Sequence, residues 1–223
     1  KRVFKALDNY PHMVKIFGKL PSEVFNEWSG TPQKKKKQSD DNVIFSDWPG
    51  YKNGTSLKDV AHRVIEQHKI TSNMVVGGSS LGGMVAVEIA KVVGIKQVIL
   101  IGSATNPKYI NPLLQKLSGL SEITPVKIIQ ILAGKANISG KNELLSMFEK
   151  SDSNFIQAMC KALFKWEGLR DYQCKICHIH GKRDKVILPP ENNVELISDG
   201  GHLISMTHCG IVVDFINKNK ILR

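Results

Sequence analysis

The chain has 223 residues, 42% hydrophobic and 23% charged, which suits one substantial core, and no apolar run approaches the ~18–20 residues that cross a bilayer. Its formal charge is +11, yet the only arginines are Arg2, Arg63, Arg170, Arg183 and Arg223. Phosphate and base recognition favour arginine's planar fork, and no basic stretch is interleaved with aromatics, so neither nucleic acid nor membrane is an expected partner, and a soluble cytoplasmic protein is.

In chain order, Lys1–Leu7 has the pattern of a helix. Residues 8–42 are interrupted by Pro11, Pro21, Gly30 and Pro32, and Lys34 to Lys37 read as an exposed, solvated loop. Val43–Phe45 predicts a strand ending at Asp47-Trp48-Pro49-Gly50. Leu57–His68 predicts an amphipathic helix with Val60, Val64 and Ile65 inward and Ser56 as its cap. Met74–Val76 predicts a short buried strand, followed by Gly78-Ser79-Ser80-Leu81-Gly82 and a helix carrying Met84, Val85, Val87, Ile89 and Val92. Gly94 stops that helix, and Val98–Ile101 is wholly apolar, as inside a parallel sheet. Ser103 and Asn106 follow at its carboxyl end and are expected to border the site.

Residues 107–171 read as helices without a strand. Thr124-Pro125 starts one as cap and first-turn proline. Ser153 starts another, with Phe155, Ile156, Met159, Cys160, Leu163 and Phe164 at helical spacing and Gly168 at its end. The stretch from Ile176 to His180 then predicts a strand running through Gly181 to Asp184, and Val194 begins a short strand that leads into Gly200-Gly201-His202.

Gly78-Ser79-Ser80-Leu81-Gly82 is a G-x-S-x-G turn with Ser80 at its apex. A serine driven to the tip of a strand-to-helix turn is held in strained backbone geometry, and side chains at the flanking positions would collide across it. The following helix aims its free N–H groups at the serine, where an oxyanion would form. A hydroxyl becomes a useful nucleophile when a base takes its proton and a third group orients the base. Asp184 and His202 supply candidates in the order serine, acid, histidine, each just past a predicted strand end. Asp199 is a rival acid but stands only three residues before His202, too close to reach round the imidazole. His12, His62 and His68 lie on polar stretches and read as solvated; His208, close behind His202, reads as a surface residue, with lining the site as the alternative.

Cys174-Lys-Ile-Cys177-His178 matches the C-x-x-C-H haem-attachment pattern and, with His180, suggests a metal site. On a strand, residues three apart face opposite ways, and no second cysteine pair follows, so neither haem nor metal is expected. Cys160 reads as a small core residue, Cys209 has no assigned role, and free thiols fit a reducing compartment.

Asp47-Trp-Pro-Gly50, Gly78-Ser-Ser-Leu-Gly-Gly83, His180-Gly-Lys-Arg-Asp184 with Pro189, and Gly200-Gly-His202 together resemble the α/β-hydrolase superfamily, in particular its small bacterial esterase-like members. The resemblance spans about residues 43–215 and implies an α/β fold: a mostly parallel sheet flanked by helices. It implies one domain over 1–223, with a core of about 1–106 and 172–223 and a helical cap over about 107–171. By that resemblance Ser80 is the nucleophile, His202 the general base, Asp184 the orienting acid and the Leu81 N–H an oxyanion donor. Ser79, Ser103, Trp48 and Trp166 would contact the substrate, and no cofactor is implied.

The chain departs from the pattern twice. No strand ending in a His-Gly type loop, which supplies the second oxyanion donor in the superfamily, precedes Asp47, so a segment before Lys1 is expected to carry it. Asp184 and His202 are also too close for a full crossover helix between parallel strands, an abbreviation shared by some small bacterial members. The expected activity is hydrolysis of small-molecule carboxylic esters. Acyl groups on an acidic carrier protein are an alternative substrate suggested by the net charge, and a non-catalytic ligand-binding relative is the alternative outside enzymology.

Overall fold

Successive residues of the central strands point to opposite faces of the sheet, and each face finds its own core. In the computed structural model, residues 14–17, 43–46, 49, 55–112, 153–170 and 172–219 are described. The strands are β1 (Val14–Phe17), β2 (Val43–Ser46), β3 (Val75–Ser79), β4 (Gln97–Ile101), β5 (Lys175–Gly181) and β6 (Glu195–Ile197). They lie side by side in the order β2-β1-β3-β4-β5-β6. β3 to β6 run parallel, whereas β1 is antiparallel to both of its neighbours. The α-helices among the described residues are α1 (Leu57–His68), α2 (Leu81–Val93), α3 (Ser153–Phe164), α4 (Ile204–Thr207) and α5 (Cys209–Asn219).

Val76, Val98 and Leu100 pack with α1 and α2 through Val60, Val64, Val85 and Ile89. Val75, Ile99, Ile101, Cys177 and Ile179 face the other way, onto Val212, Phe215 and Ile216 of α5. The sheet is therefore covered on both sides, which is why β4 can be apolar at every position from Val98 to Ile101. α1 begins on a reciprocal capping box: the Ser56 hydroxyl accepts from the Asp59 N–H, and the Asp59 carboxylate accepts from the Ser56 N–H. α2 ends at Gly94, whose φ of 79° suits a residue without a side chain.

β1 was not foreseen in the sequence, because the prolines and glycines around it obscure a four-residue run. The link from β5 to β6 contains no helix, in keeping with the short Asp184–His202 spacing. Part of that link pairs instead with the chain after β4, through an antiparallel bridge between Ile110 and Ile187. Of the expected cap, residues 113–152 lie outside the described ones. At its two ends are a 3₁₀ turn over Pro107–Tyr109 and α3, whose Met159 and Leu163 pack on the α1–α2 side of the core. The expected helices over Lys1–Leu7 and from Thr124, the lysine run, Asp47, Trp48, Gly50 and the Cys160 side chain also lie outside the described residues.

Ile99 is 0% exposed in the α5-side core, whereas Val92 is 37% exposed on α2. Ile99→Ala is expected to lower the unfolding free energy by about 2–5 kcal/mol, and Val92→Ala by well under 1 kcal/mol. Urea denaturation checks both, and equal effects would contradict this placement of the core.

Candidate active site

β3 delivers Ser80 to the carboxyl edge of the sheet, and the chain turns there directly into α2. The turn holds Ser80 at φ 52° and ψ −126°, outside the regions where L-residues rest, at a typical cost of about 1–3 kcal/mol. Hydrogen bonds over-determine this conformation. The Ser80 N–H donates to the Ile101 carbonyl at 3.0 Å, and the Ser80 carbonyl accepts from the Gly83 N–H at 3.0 Å and the Ser103 hydroxyl at 2.6 Å. The glycines follow from the same tightness. A Cβ on Gly78 would stand 2.5 Å from the Gly82 carbonyl oxygen and 2.6 Å from the Gly83 nitrogen. One on Gly83 would meet the Ser103 side chain.

His202 and Asp184 reach Ser80 from two other loops. Gly181 ends β5 so close to Gly200 and Gly201 that a side chain there would strike their backbone. The Arg183 N–H donates to the Gly200 carbonyl at 2.8 Å, locking the acid-bearing and histidine-bearing loops together. His202 Nδ1 lies 2.8 Å from Asp184 Oδ2, and its Nε2 lies 2.9 Å from Ser80 Oγ. A carboxylate only accepts, so Nδ1 carries the proton and Nε2 of the neutral ring faces the serine hydroxyl as acceptor. Leu81 supplies the first N–H of α2, one of the amides that a helix cannot satisfy internally.

Asp184 is 4% exposed and fully engaged. Oδ1 accepts from the Val186 and Ile187 N–H groups at 2.8 and 3.0 Å, and Oδ2 faces both His202 Nδ1 and, at 3.1 Å, His180 Nε2. Burial pushes this carboxyl up. Attraction to His202 and hydrogen bonds from His180 and His202 outweigh burial and hold it well below the usual carboxylate range. His178, buried behind His180 with its Nε2 3.1 Å from His180 Nδ1, is pushed down to about 3. Burial is the main cause and the neighbouring His180 adds to it, while a hydrogen bond to the Ser103 backbone resists.

Ser80, Asp184 and His202 thus come together from positions scattered over the sequence. Ser79 lies beside them, its hydroxyl 3.5 Å from that of Ser205. Two of the residues expected at the substrate are placed otherwise. Ser103 is completely buried, and its hydroxyl supports the Ser80 carbonyl from beneath the turn. Trp166 packs in the α1–α2 core, where its Nε1–H donates to Glu88 at 2.8 Å on the third turn of α2. Trp48 lies outside the described residues. Asp199 is exposed and meets half-buried His208, its Oδ1 3.3 Å from Nε2, while His202 pairs with Asp184. Cys174 packs on one core and Cys177 in the other, on opposite sides of the sheet. His178 and His180 are the groups that sequence reasoning left without a role. Their signal was present: on a strand, residues two apart share a face, and this pair leads directly to Asp184.

Solved structures of similar shape decide the fold. An esterase from Exiguobacterium antarcticum superimposes with a TM-score of 0.59 at 19% identity over 80% of each chain. A hydrolase from Oleispira antarctica does so with a TM-score of 0.59 at 22% identity, over 74% of this chain and 73% of its own. A lipase-esterase related protein from Clostridium acetobutylicum gives 0.60 at 14% identity, over 79% of this chain and 82% of its own. The chain has the α/β-hydrolase fold. Residues 36–118 match UPF0227, an uncharacterised protein family, and no curated protein matches. Among the described residues, no helix is long and apolar enough to cross a membrane.

The buried histidine makes stability depend on pH with a definite sign. Folded His178 stays neutral down to about pH 3, while the unfolded chain takes up a proton near 6.5, so its contribution is full above 6.5 and is lost as pH falls. Asp184, depressed in the fold, adds its loss only below the ordinary carboxylate range. Going from pH 7 to 5 is expected to cost about 2 kcal/mol through His178. In urea titrations His178→Gln should show a correspondingly shallower pH dependence than the native protein, and equal slopes would contradict the buried neutral ring.

Proposed function

We propose that this protein is a serine hydrolase that cleaves carboxylic esters through an acyl-enzyme intermediate. One observation carries the reading: an unbroken hydrogen-bond sequence from Ser80 Oγ through His202 to Asp184, 2.9 and 2.8 Å long, at the carboxyl edge of a parallel sheet. The esterases among the structural relatives support ester substrates.

In the first half-reaction Ser80 Oγ attacks the ester carbonyl carbon as His202 Nε2 takes the hydroxyl proton. The carbonyl oxygen gains the negative charge and accepts a hydrogen bond from the Leu81 N–H. Asp184 keeps the imidazolium oriented and stabilised. Collapse of the tetrahedral species breaks the bond to the alcohol, which leaves with the proton from His202. Water then repeats the sequence: His202 takes its proton, the hydroxide oxygen attacks the acyl carbon, and Ser80 departs reprotonated with the carboxylic acid as product. This chemistry calls on no metal and no organic cofactor.

The net charge of +11 favours a second reading of the substrate, an acyl group delivered by an acidic carrier protein. Turnover of carrier-bound acyl groups that falls steeply with salt, while a small ester is unaffected, would select it. A non-catalytic ligand-binding role would leave the Ser80–His202 contact without a use.

On p-nitrophenyl butyrate, Ser80→Ala is expected to lower kcat by roughly 10⁴–10⁶-fold and Asp184→Asn by roughly 10⁴-fold, with native-like far-ultraviolet circular dichroism. Retention of most activity in Ser80→Ala would sink the serine-hydrolase reading.

A further inference from the structure

Behind Asp184 lies a buried imidazole that the reaction as written does not use. His180 is 0% exposed on β5, and its Nε2 stands 2.9 Å from the Ile187 carbonyl oxygen and 3.1 Å from Asp184 Oδ2. Both neighbours only accept, so Nε2 must carry a proton; the tautomer follows from geometry alone. On the other side of the ring, Nδ1 is 3.1 Å from His178 Nε2, and the two rings meet edge to face at 72°. Among the described residues, the titratable groups that meet His180 are His178 on its own strand and Asp184 on the loop after it, with His202 across that carboxylate. Ile187 closes the arrangement by donating its N–H to Asp184 Oδ1 while its carbonyl accepts from His180.

We propose that His180 is a positioning residue of the triad: its Nε2–H, hydrogen-bonded to the Ile187 carbonyl, also stands 3.1 Å from the carboxylate oxygen that His202 uses, and this second contact fixes where that oxygen sits and how much of its charge His202 feels. The inference rests on the serine-hydrolase reading. The N–H dipole of His180, 3.1 Å from Oδ2, draws on the charge of that oxygen, which tempers the stabilisation of the His202 imidazolium and stops the carboxylate from swinging out of line. Without that donor, the oxygen presents more charge to His202, so the protonated base persists to higher pH. A purely structural role, pinning the 184–187 loop, predicts lost stability with no change in the pH profile of the enzyme that remains folded.

The test is the pH profile of kcat/KM on p-nitrophenyl butyrate for the native full chain, Ser80→Ala, His180→Leu and His180→Gln. The glutamine amide places an N–H close to where Nε2 was. His180→Leu is expected to lower kcat by about 10–100-fold with KM within about twofold, and to move the acid limb up by about half a pH unit or more. His180→Gln should recover most of kcat and return the limb towards its native position. If native turnover is no higher than that of Ser80→Ala, the hydrolase reading falls and this inference falls with it. If the native enzyme is active and His180→Leu keeps both its kcat and its acid limb, only the inference falls. A folded His180→Leu with reduced kcat, an unmoved limb and no recovery in His180→Gln also overturns it, in favour of a structural pin. Should His180→Leu not fold, the imidazole ¹⁵N spectrum of the native protein, assigned by difference from His180→Gln, decides. A protonated Nε2 on His180 is expected, and an unprotonated one overturns the proposal.

Discussion

A carboxylate taken out of water gives up several kcal/mol of hydration, and it persists as an anion only where donors replace the water. Asp184 meets that condition through four groups from three places in the chain: the backbone N–H groups of Val186 and Ile187, His180 from β5, and His202 from the loop after β6. Each donor is also held by something else. Ile187 bridges to Ile110, His180 leans on His178, and the loop of His202 is tied to Arg183. Asp184, His202 and the two loops that carry them therefore depend on one buried charge. Removing any donor leaves that charge partly unsatisfied, which costs more than the hydrogen bond itself is worth.

The second constraint is steric. Ser80 adopts a conformation that a free chain would avoid, and it holds there because β3 and β4 are parallel neighbours in a sheet covered on both faces. Ile101 and Ser103 lie at the end of β4 and bind the Ser80 backbone directly. The orientation of Ser80 is thus set by strand packing and carried to the turn by two hydrogen bonds. Small residues are required at these close approaches: Gly78 and Gly181 meet neighbouring backbone, and Gly83 meets the Ser103 side chain. These glycines serve close approach.

Much of this was legible in the sequence, for physical reasons. Strand-to-helix turns need glycines at fixed offsets, and parallel strands buried on both faces are continuously apolar, so the β3–α2–β4 unit could be read from Val75 to Ile101. Ser80, Asp184 and His202 stood out because each follows a strand end. Contacts made by side chains in the folded state were less legible. Ser103 read as a residue bordering the substrate because it follows β4, but its hydroxyl turns inward to the Ser80 carbonyl. Trp166 read as a cap aromatic, yet Glu88, itself buried in the apolar face of α2, takes up its indole N–H. His178 and His180 were obscured by the cysteines around them, which turned the reading to whether a metal is bound there and away from two rings set edge to face behind a carboxylate. β1 escaped because four residues between chain-breaking segments carry too little periodicity to separate a strand from a loop.

The central claim is that the Asp184–His202 pair makes Ser80 a nucleophile. Treating the protein with a fluorophosphonate and locating the adduct by peptide mass tests it most directly, because the reagent reports activation of the hydroxyl without requiring the natural substrate. A single adduct on Ser80, absent from His202→Ala, is the expected result. No adduct, an adduct on another residue, or equal labelling in His202→Ala would contradict the claim.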